Sequence, residues 1–155
     1  MIPTEYIDIE NETDLEIDTE ALYHQTEFMF RRLGLHPETE VSIVLVDEER
    51  MSQLHVDWME EEGPTDVLSF PMDELRAPGA DEEPQPGILG DIALCPAFAA
   101  RQAAANGQTL EEELALLLTH GILHCLGHDH AEPEEHAVMF GLQARLLEAW
   151  WARDE

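Results

Sequence analysis

The stretch from residue 110 to residue 130 constrains the fold most, because it joins an apolar helical pattern to a histidine-rich run that contains His120, His124 and His130. Thr109 and Glu112 just before it have the spacing of a capping box, in which each residue satisfies the other's backbone N–H at the start of a helix. Apolar side chains then recur every three or four residues, at Leu110, Leu114, Leu117, Leu118 and Ile122. The pattern predicts a helix with one face buried in the core.

The three histidines have the spacing of a metal site. His120 and His124 are four residues apart, so on a helix their imidazoles lie one turn apart on the same side. Gly127 can adopt the left-handed conformation that ends a helix and turn the chain so that His130 reaches the same ion. Zinc suits three neutral imidazoles, and three ligands leave a fourth position open for water. We predict one zinc per chain, bound by His120, His124 and His130.

Two residues beside the third ligand leave alternatives open. His128 and Asp129 lie between Gly127 and His130, and either could compete for the metal or support it. Asp129 would serve either as an acceptor for an imidazole N–H or as a turn-stabilising residue. We favour His130 as the ligand.

The rest of the chain predicts a single domain, over residues 1–155, of the α+β class. The expected architecture is a small, mostly parallel or mixed sheet of about four strands, packed with about five helices, with the metal site at the end of a core helix. Strands are predicted at 5–17, as an edge strand and acidic loop, and at 41–46, 67–70 and 88–94; helices are predicted at 19–33, 48–59, 96–105, 110–124 and from Pro133 onward.

Composition restricts the partners and the compartment. The formal charge is −28, from 35 acidic residues against seven arginines and no lysine. Such a charge repels nucleic acid and anionic membranes and predicts a basic partner or a high-salt cytoplasm, although a metal site with local arginines can still be positive. With no apolar stretch of spanning length and no leader pattern, we expect a cytoplasmic protein. Cys95 and Cys125 are expected to be reduced and partly buried.

Gly121 separates this histidine pattern from the protease pattern that it otherwise matches. Metzincin proteases have H-E-x-x-H-x-x-G-x-x-H, in which the glutamate is the general base that activates water. Glycine at that place has no group to accept a proton. Metal-assisted attack on a phosphodiester is still possible, particularly in RNA, where the neighbouring 2′-hydroxyl is an internal nucleophile.

Three ordered motifs stand out in the chain: the His120–His124 segment with Gly127, Asp129 and His130, the segment Gly63–Pro71 with sequence GPTDVLSFP, and the segment Leu89–Ile92 with sequence LGDI. Together they resemble the motifs of the YbeY family of bacterial single-strand endoribonucleases and ribosomal-RNA maturation factors. The resemblance extends from about Leu54 to Trp150. It implies an α+β fold, one zinc on His120, His124 and His130, and a role in 3′-end processing of small-subunit ribosomal RNA and in ribosome quality control.

The chain departs from the family pattern at two places. Where the family usually has an arginine thought to assist catalysis, this chain has Met59, which cannot offset charge on a phosphate. Arg101 and Arg50 are the nearest cationic candidates in the sequence. Position 128, often tyrosine in the family, is histidine here.

Three hypotheses follow for the function. The first is a zinc-dependent endoribonuclease that acts on single-stranded and ribosomal RNA. The second is a non-catalytic, zinc-containing assembly factor that binds the small ribosomal subunit through its basic proteins. The third is a metalloprotease, which the missing glutamate disfavours.

Overall fold

The computed structural model describes residues 6–59, 66–128 and 132–153. Over these residues the chain forms four strands and five helices, and the predicted α+β class is confirmed. In chain order the elements are β1 (Ile7–Asn11), α1 (Thr19–Arg32), β2 (Glu40–Leu45), α2 (Glu48–Met59), β3 (Val67–Pro71), β4 (Ile88–Leu94), α3 (Pro96–Ala105), α4 (Leu110–Cys125) and α5 (Pro133–Ala152).

The four strands form one mixed sheet in the order β1-β2-β4-β3. Strands β1, β2 and β4 are parallel, whereas β3 runs antiparallel to β4, so the prediction of a mostly parallel or mixed sheet is correct. Strand β1 lies at the edge, as its alternating pattern predicts. Gly90 in β4 has φ +149°, and a Cβ there would collide with the backbone of Phe70 on β3. The glycine therefore permits the close approach of these two strands.

Alternate residues of the two central strands supply two separate apolar cores. Ile43 pairs with Ile92, and both belong to the main core with α1, α4 and α5. Val44 pairs with Ala93, and both belong to a smaller core on the other side of the sheet, with Met51 of α2. This period of two is the ordinary consequence of the pleat of a strand. On the main-core side, α4 packs against β3 and β4.

Both ends of α4 adopt the capped structures that the sequence predicts. At the start, the Glu112 backbone N–H donates to Thr109 Oγ1 at 3.1 Å, and the Thr109 N–H donates to Glu112 Oε1 at 3.0 Å. At the end, Gly127 has φ +94° and donates its N–H to the His124 carbonyl at 3.0 Å, while the His128 N–H donates to the Leu123 carbonyl at 3.0 Å. This pair of bonds is a Schellman motif, which ends the helix directly after the second histidine.

Both cysteines are buried and neither forms a disulfide, as expected. Burial raises the pKa of the Cys125 thiol to about 12, so this side chain stays protonated and packs as a small apolar group. No helix in the described part of the chain combines the length and the apolar character needed to cross a membrane.

Candidate metal centre

The last two turns of α4 bring His120 and His124 together. Both side chains are partly buried, and their ring centroids lie 4.5 Å apart with the ring planes at 80°. Two neutral imidazoles one turn apart fit a zinc ion as a pair of nitrogen ligands. His130 lies outside the described residues, among which no group of three metal-binding side chains occurs. The third ligand therefore stays a prediction.

Helix α5 supplies a polar contact to the first histidine. Gln143 is buried with 6% of its surface exposed, and its Oε1 lies 2.9 Å from Nδ1 of His120. Metal-binding histidines ordinarily place their second ring nitrogen against an oxygen acceptor in this way. Gln143 is not among the site residues predicted from the sequence, although its position in the sequence gives a signal. It lies on the buried stripe of α5, where Met139, Leu146 and Trp150 are apolar.

An aromatic contact chain leads from His120 to the surface along α5. Phe140 is tilted against the His120 ring at 5.7 Å between centroids, and the exposed His136 stacks on Phe140 at 4.3 Å. Phe140 is only partly buried and lines a cavity beside His120. The face of α5 that carries Phe140 and His136 therefore borders the candidate site.

A cavity of about 580 Å³ opens beside His120 between α3, α4 and α5. Its wall includes two acidic residues, Asp66 and Glu113. Glu113 is buried, with 5% of its surface exposed. Burial, and secondly the charge of Asp66, raises the pKa of Glu113 above its ordinary value. With its amide nitrogen turned toward them, Gln102 donates to Glu113 Oε2 at 3.1 Å and to Asp66 Oδ2 at 3.0 Å. The cavity wall is therefore acidic and amide-rich.

Gly121 faces the sheet and not the cavity. It is buried, its carbonyl accepts a hydrogen bond from Ser69 Oγ at 3.2 Å, and a Cβ there would lie 3.1 Å from Ile92 Cγ2. In the sequence, this glycine stands where the protease pattern has its general base. The structure adds a packing reason, because a longer side chain would press into β3 and β4.

Neither arginine proposed as a substitute for the family arginine lines this cavity. The Arg101 guanidinium forms a two-pronged ion pair with the Glu48 carboxylate, with Nη2 2.8 Å from Oε2, and it lies over the Phe98 ring. Arg50 lines a different cavity, together with Asp91, on the side of the sheet that α2 covers. The side chain of Met59 lies outside the described part of the structure.

Comparison with known proteins gives the family. The family model described as Endoribonuclease YbeY matches residues 6–151. The chain therefore belongs to the YbeY family. It is 54% identical over 149 residues to an endoribonuclease YbeY of Renibacterium salmoninarum, covering 96% of this chain and 94% of that protein. It is 56% identical to that of Thermobifida fusca, covering 93% of each chain.

A solved structure has the same fold. The solution structure of TM1509 from Thermotoga maritima superposes with a TM-score of 0.64 at 28% identity, covering 94% of this chain and 89% of that one. The family-model match and the two endoribonuclease YbeY relatives confirm the resemblance that the sequence motifs indicated.

The three YbeY motifs meet around the second half of α4. Ser69, from the GPTDVLSFP segment, donates to the Gly121 carbonyl, and Ile92, from the LGDI segment, contacts the same glycine. Asp66, also from the GPTDVLSFP segment, lines the cavity that His120 lines. Segments that are far apart in sequence therefore position the histidine pair and shape its surroundings.

Proposed function

We propose that this chain is a zinc-dependent, single-strand-specific endoribonuclease that acts in the cytoplasm on the 3′ end of small-subunit ribosomal RNA and in ribosome quality control. The observation that carries the proposal is the His120–His124 pair at the capped end of α4, in a chain of the YbeY family. The relatives that are named endoribonucleases support RNA as the substrate.

His120 and His124 would bind the zinc together with His130. When bound, zinc supplies Lewis-acid activation of water and of a phosphate oxygen. Gly121 provides no proton acceptor, and RNA itself brings a 2′-hydroxyl beside the scissile phosphate. The Asp66 and Glu113 carboxyls disfavour a phosphate in the cavity beside His120, because like charges repel strongly where water is partly excluded. We therefore place the RNA backbone on the His124 side of the pair.

The direct test combines metal analysis with RNA cleavage. Purified wild-type protein is expected to carry about one zinc per chain and to cut single-stranded but not duplex RNA. His124→Ala should lose the zinc and the cleavage together, because two remaining imidazoles bind zinc weakly. His24→Ala is the matched control, since His24 lies on α1 beside Glu20 and Glu27. Cleavage that survives in metal-free His124→Ala protein would contradict the proposal.

The same assay across salt concentrations tests whether RNA is the substrate of so acidic a protein. A formal charge of −28 should repel RNA at long range, and salt screens that repulsion. Cleavage efficiency is expected to rise between about 0.05 and 0.3 M salt, the reverse of the usual loss in proteins that bind nucleic acid through lysine and arginine. A steep fall with salt would indicate a basic RNA-binding surface instead.

A second function is favoured by the charge and by the acidic wall of the cavity. In this alternative the chain is a non-catalytic assembly factor, whose zinc orders the region around α4 and α5 and whose surface binds basic proteins of the small ribosomal subunit. Zinc-loaded protein that binds ribosomal particles but never cuts RNA would support this alternative over the enzyme.

A further inference from the structure

We propose that Gln143 is a positioning residue of the metal centre. Its amide oxygen holds His120 in the tautomer with hydrogen on Nδ1, so that Nε2 is the nitrogen that binds the metal. The inference rests on the proposed zinc site and names the residue that prepares one of its ligands.

The geometry around the His120 ring supports this role. Gln143 reaches it from α5, with Oε1 2.9 Å from Nδ1. The ring also lies between His124, 4.5 Å away between centroids, and Phe140, 5.7 Å away. Gln143 is buried, with 6% of its surface exposed, and buried amides keep their hydrogen-bond partners. The contact with Nδ1 of His120 is therefore a stable hydrogen bond.

Hydrogen-bond chemistry then assigns the tautomer. An amide oxygen can only accept, so Nδ1 must carry the hydrogen, and a neutral imidazole carries only one. The lone pair that binds a metal is consequently on Nε2. Removal of the acceptor would leave the ring to adopt either tautomer or to rotate, and loss of such supporting contacts commonly lowers metal affinity about 10- to 100-fold.

Gln25 offers a matched control for the alternative that Gln143 only packs α5 against α4. Gln25 lies on α1 with 2% of its surface exposed and also bonds α4. Its Nε2 donates to the Ala115 carbonyl at 2.8 Å and to Thr119 Oγ1 at 3.0 Å. It thus matches Gln143 in residue type, in burial and in contacting α4, but its bonds go to the helix next to His120 and not to the ring.

The experiment compares Gln143→Leu, Gln143→Glu and Gln25→Leu with the wild type. Zinc affinity is measured by competition with a chromophoric chelator. We expect Gln143→Leu to bind zinc about 10- to 100-fold more weakly and Gln143→Glu, which keeps an acceptor, to retain wild-type affinity or exceed it. Gln25→Leu should lower the midpoint of urea unfolding but leave zinc affinity unchanged. Equal zinc affinity in Gln143→Leu and wild type, or an equal loss in Gln25→Leu, would overturn the inference.

A second readout does not depend on zinc. Nitrogen NMR of the histidine rings in metal-free protein, at about pH 8 where imidazole is neutral, reports which ring nitrogen carries hydrogen. We expect Nδ1–H for His120 in the wild type and in Gln143→Glu, and a shift toward Nε2–H in Gln143→Leu. Nε2–H in the wild type would refute the inference. If wild-type protein bound no zinc while its His120 carried Nδ1–H, the proposed function would fail and the positioning contact would stand.

Discussion

The two sides of α4 are built on different principles. The side toward the sheet consists of small and apolar residues, such as Leu118, Gly121 and Ile122, which are buried and pack by shape alone. The other side carries Glu113 and His120, whose side chains each meet a specific polar partner. Packing by shape tolerates exchange of one apolar side chain for another, whereas a hydrogen-bonded site depends on the identity of each group.

The largest expected effect comes from placing a charged side chain on the sheet side. Gly121→Glu, which restores the glutamate of the protease pattern, is expected to lower the free energy of unfolding by more than about 3 kcal/mol, because the carboxylate would be buried against Ile92 and Ser69. It should also give no peptide hydrolysis, because a side chain whose Cβ lies against Ile92 and Ser69 is expected to keep its carboxylate at the sheet. Urea unfolding and a peptidase assay check the two parts.

Gly121→Ala is the control for that substitution. Its Cβ would be tight against Ile92 Cγ2, at 3.1 Å, but alanine favours the helix by about 1 kcal/mol over glycine. The two effects oppose each other, so the change in stability should stay within about 1 kcal/mol. A stable, folded Gly121→Glu protein would show that position 121 does not face the sheet.

A smaller effect is expected on the cavity side, from Glu113→Gln. The pKa of the Glu113 carboxyl is raised in the folded protein, so the stability that protonation contributes is present below the ordinary pKa of 4.5 and lost as pH rises through the folded value. Glutamine has no such titration. The free energy of unfolding of the variant should exceed that of the wild type by less than about 1 kcal/mol at pH 7, and by less still near pH 4. The difference is small because the Gln102 amide already offsets part of the cost of burying the ionised Glu113 carboxylate.

Urea unfolding of both proteins between about pH 4 and pH 7 measures this difference. Comparison at each pH removes the general effect of the −28 charge, which both proteins share apart from one carboxylate. An advantage of Glu113→Gln that shrinks as pH rises would contradict the assignment of Glu113 as a carboxyl that is disfavoured in its ionised form.

The sheet side of α4 and its two caps could be predicted from sequence, because their signals are local. The apolar period, the Thr109–Glu112 pair and Gly127 each act within a few residues and need no knowledge of the fold. The spacing of His120 and His124 is equally local, and the structure places the two rings together.

The supporting contacts of the site could not be predicted, because they join elements that are distant in sequence. Gln143 reaches His120 from the next helix, and Gln102 reaches Asp66 across the gap between α3 and β3. The sequence marks Gln143 only as a polar residue on an apolar stripe. It does not indicate which group across the interface that residue contacts.

Anomalous X-ray scattering at the zinc edge from crystals of the zinc-loaded protein tests the central claim most directly. We predict one strong peak per chain at the end of α4. The zinc should be bound by Nε2 of His120, by His124 and by His130, with Nδ1 of His120 still hydrogen-bonded to the Gln143 amide oxygen. Zinc bound through Nδ1 of His120, or zinc found only at the acidic surface, would contradict the account.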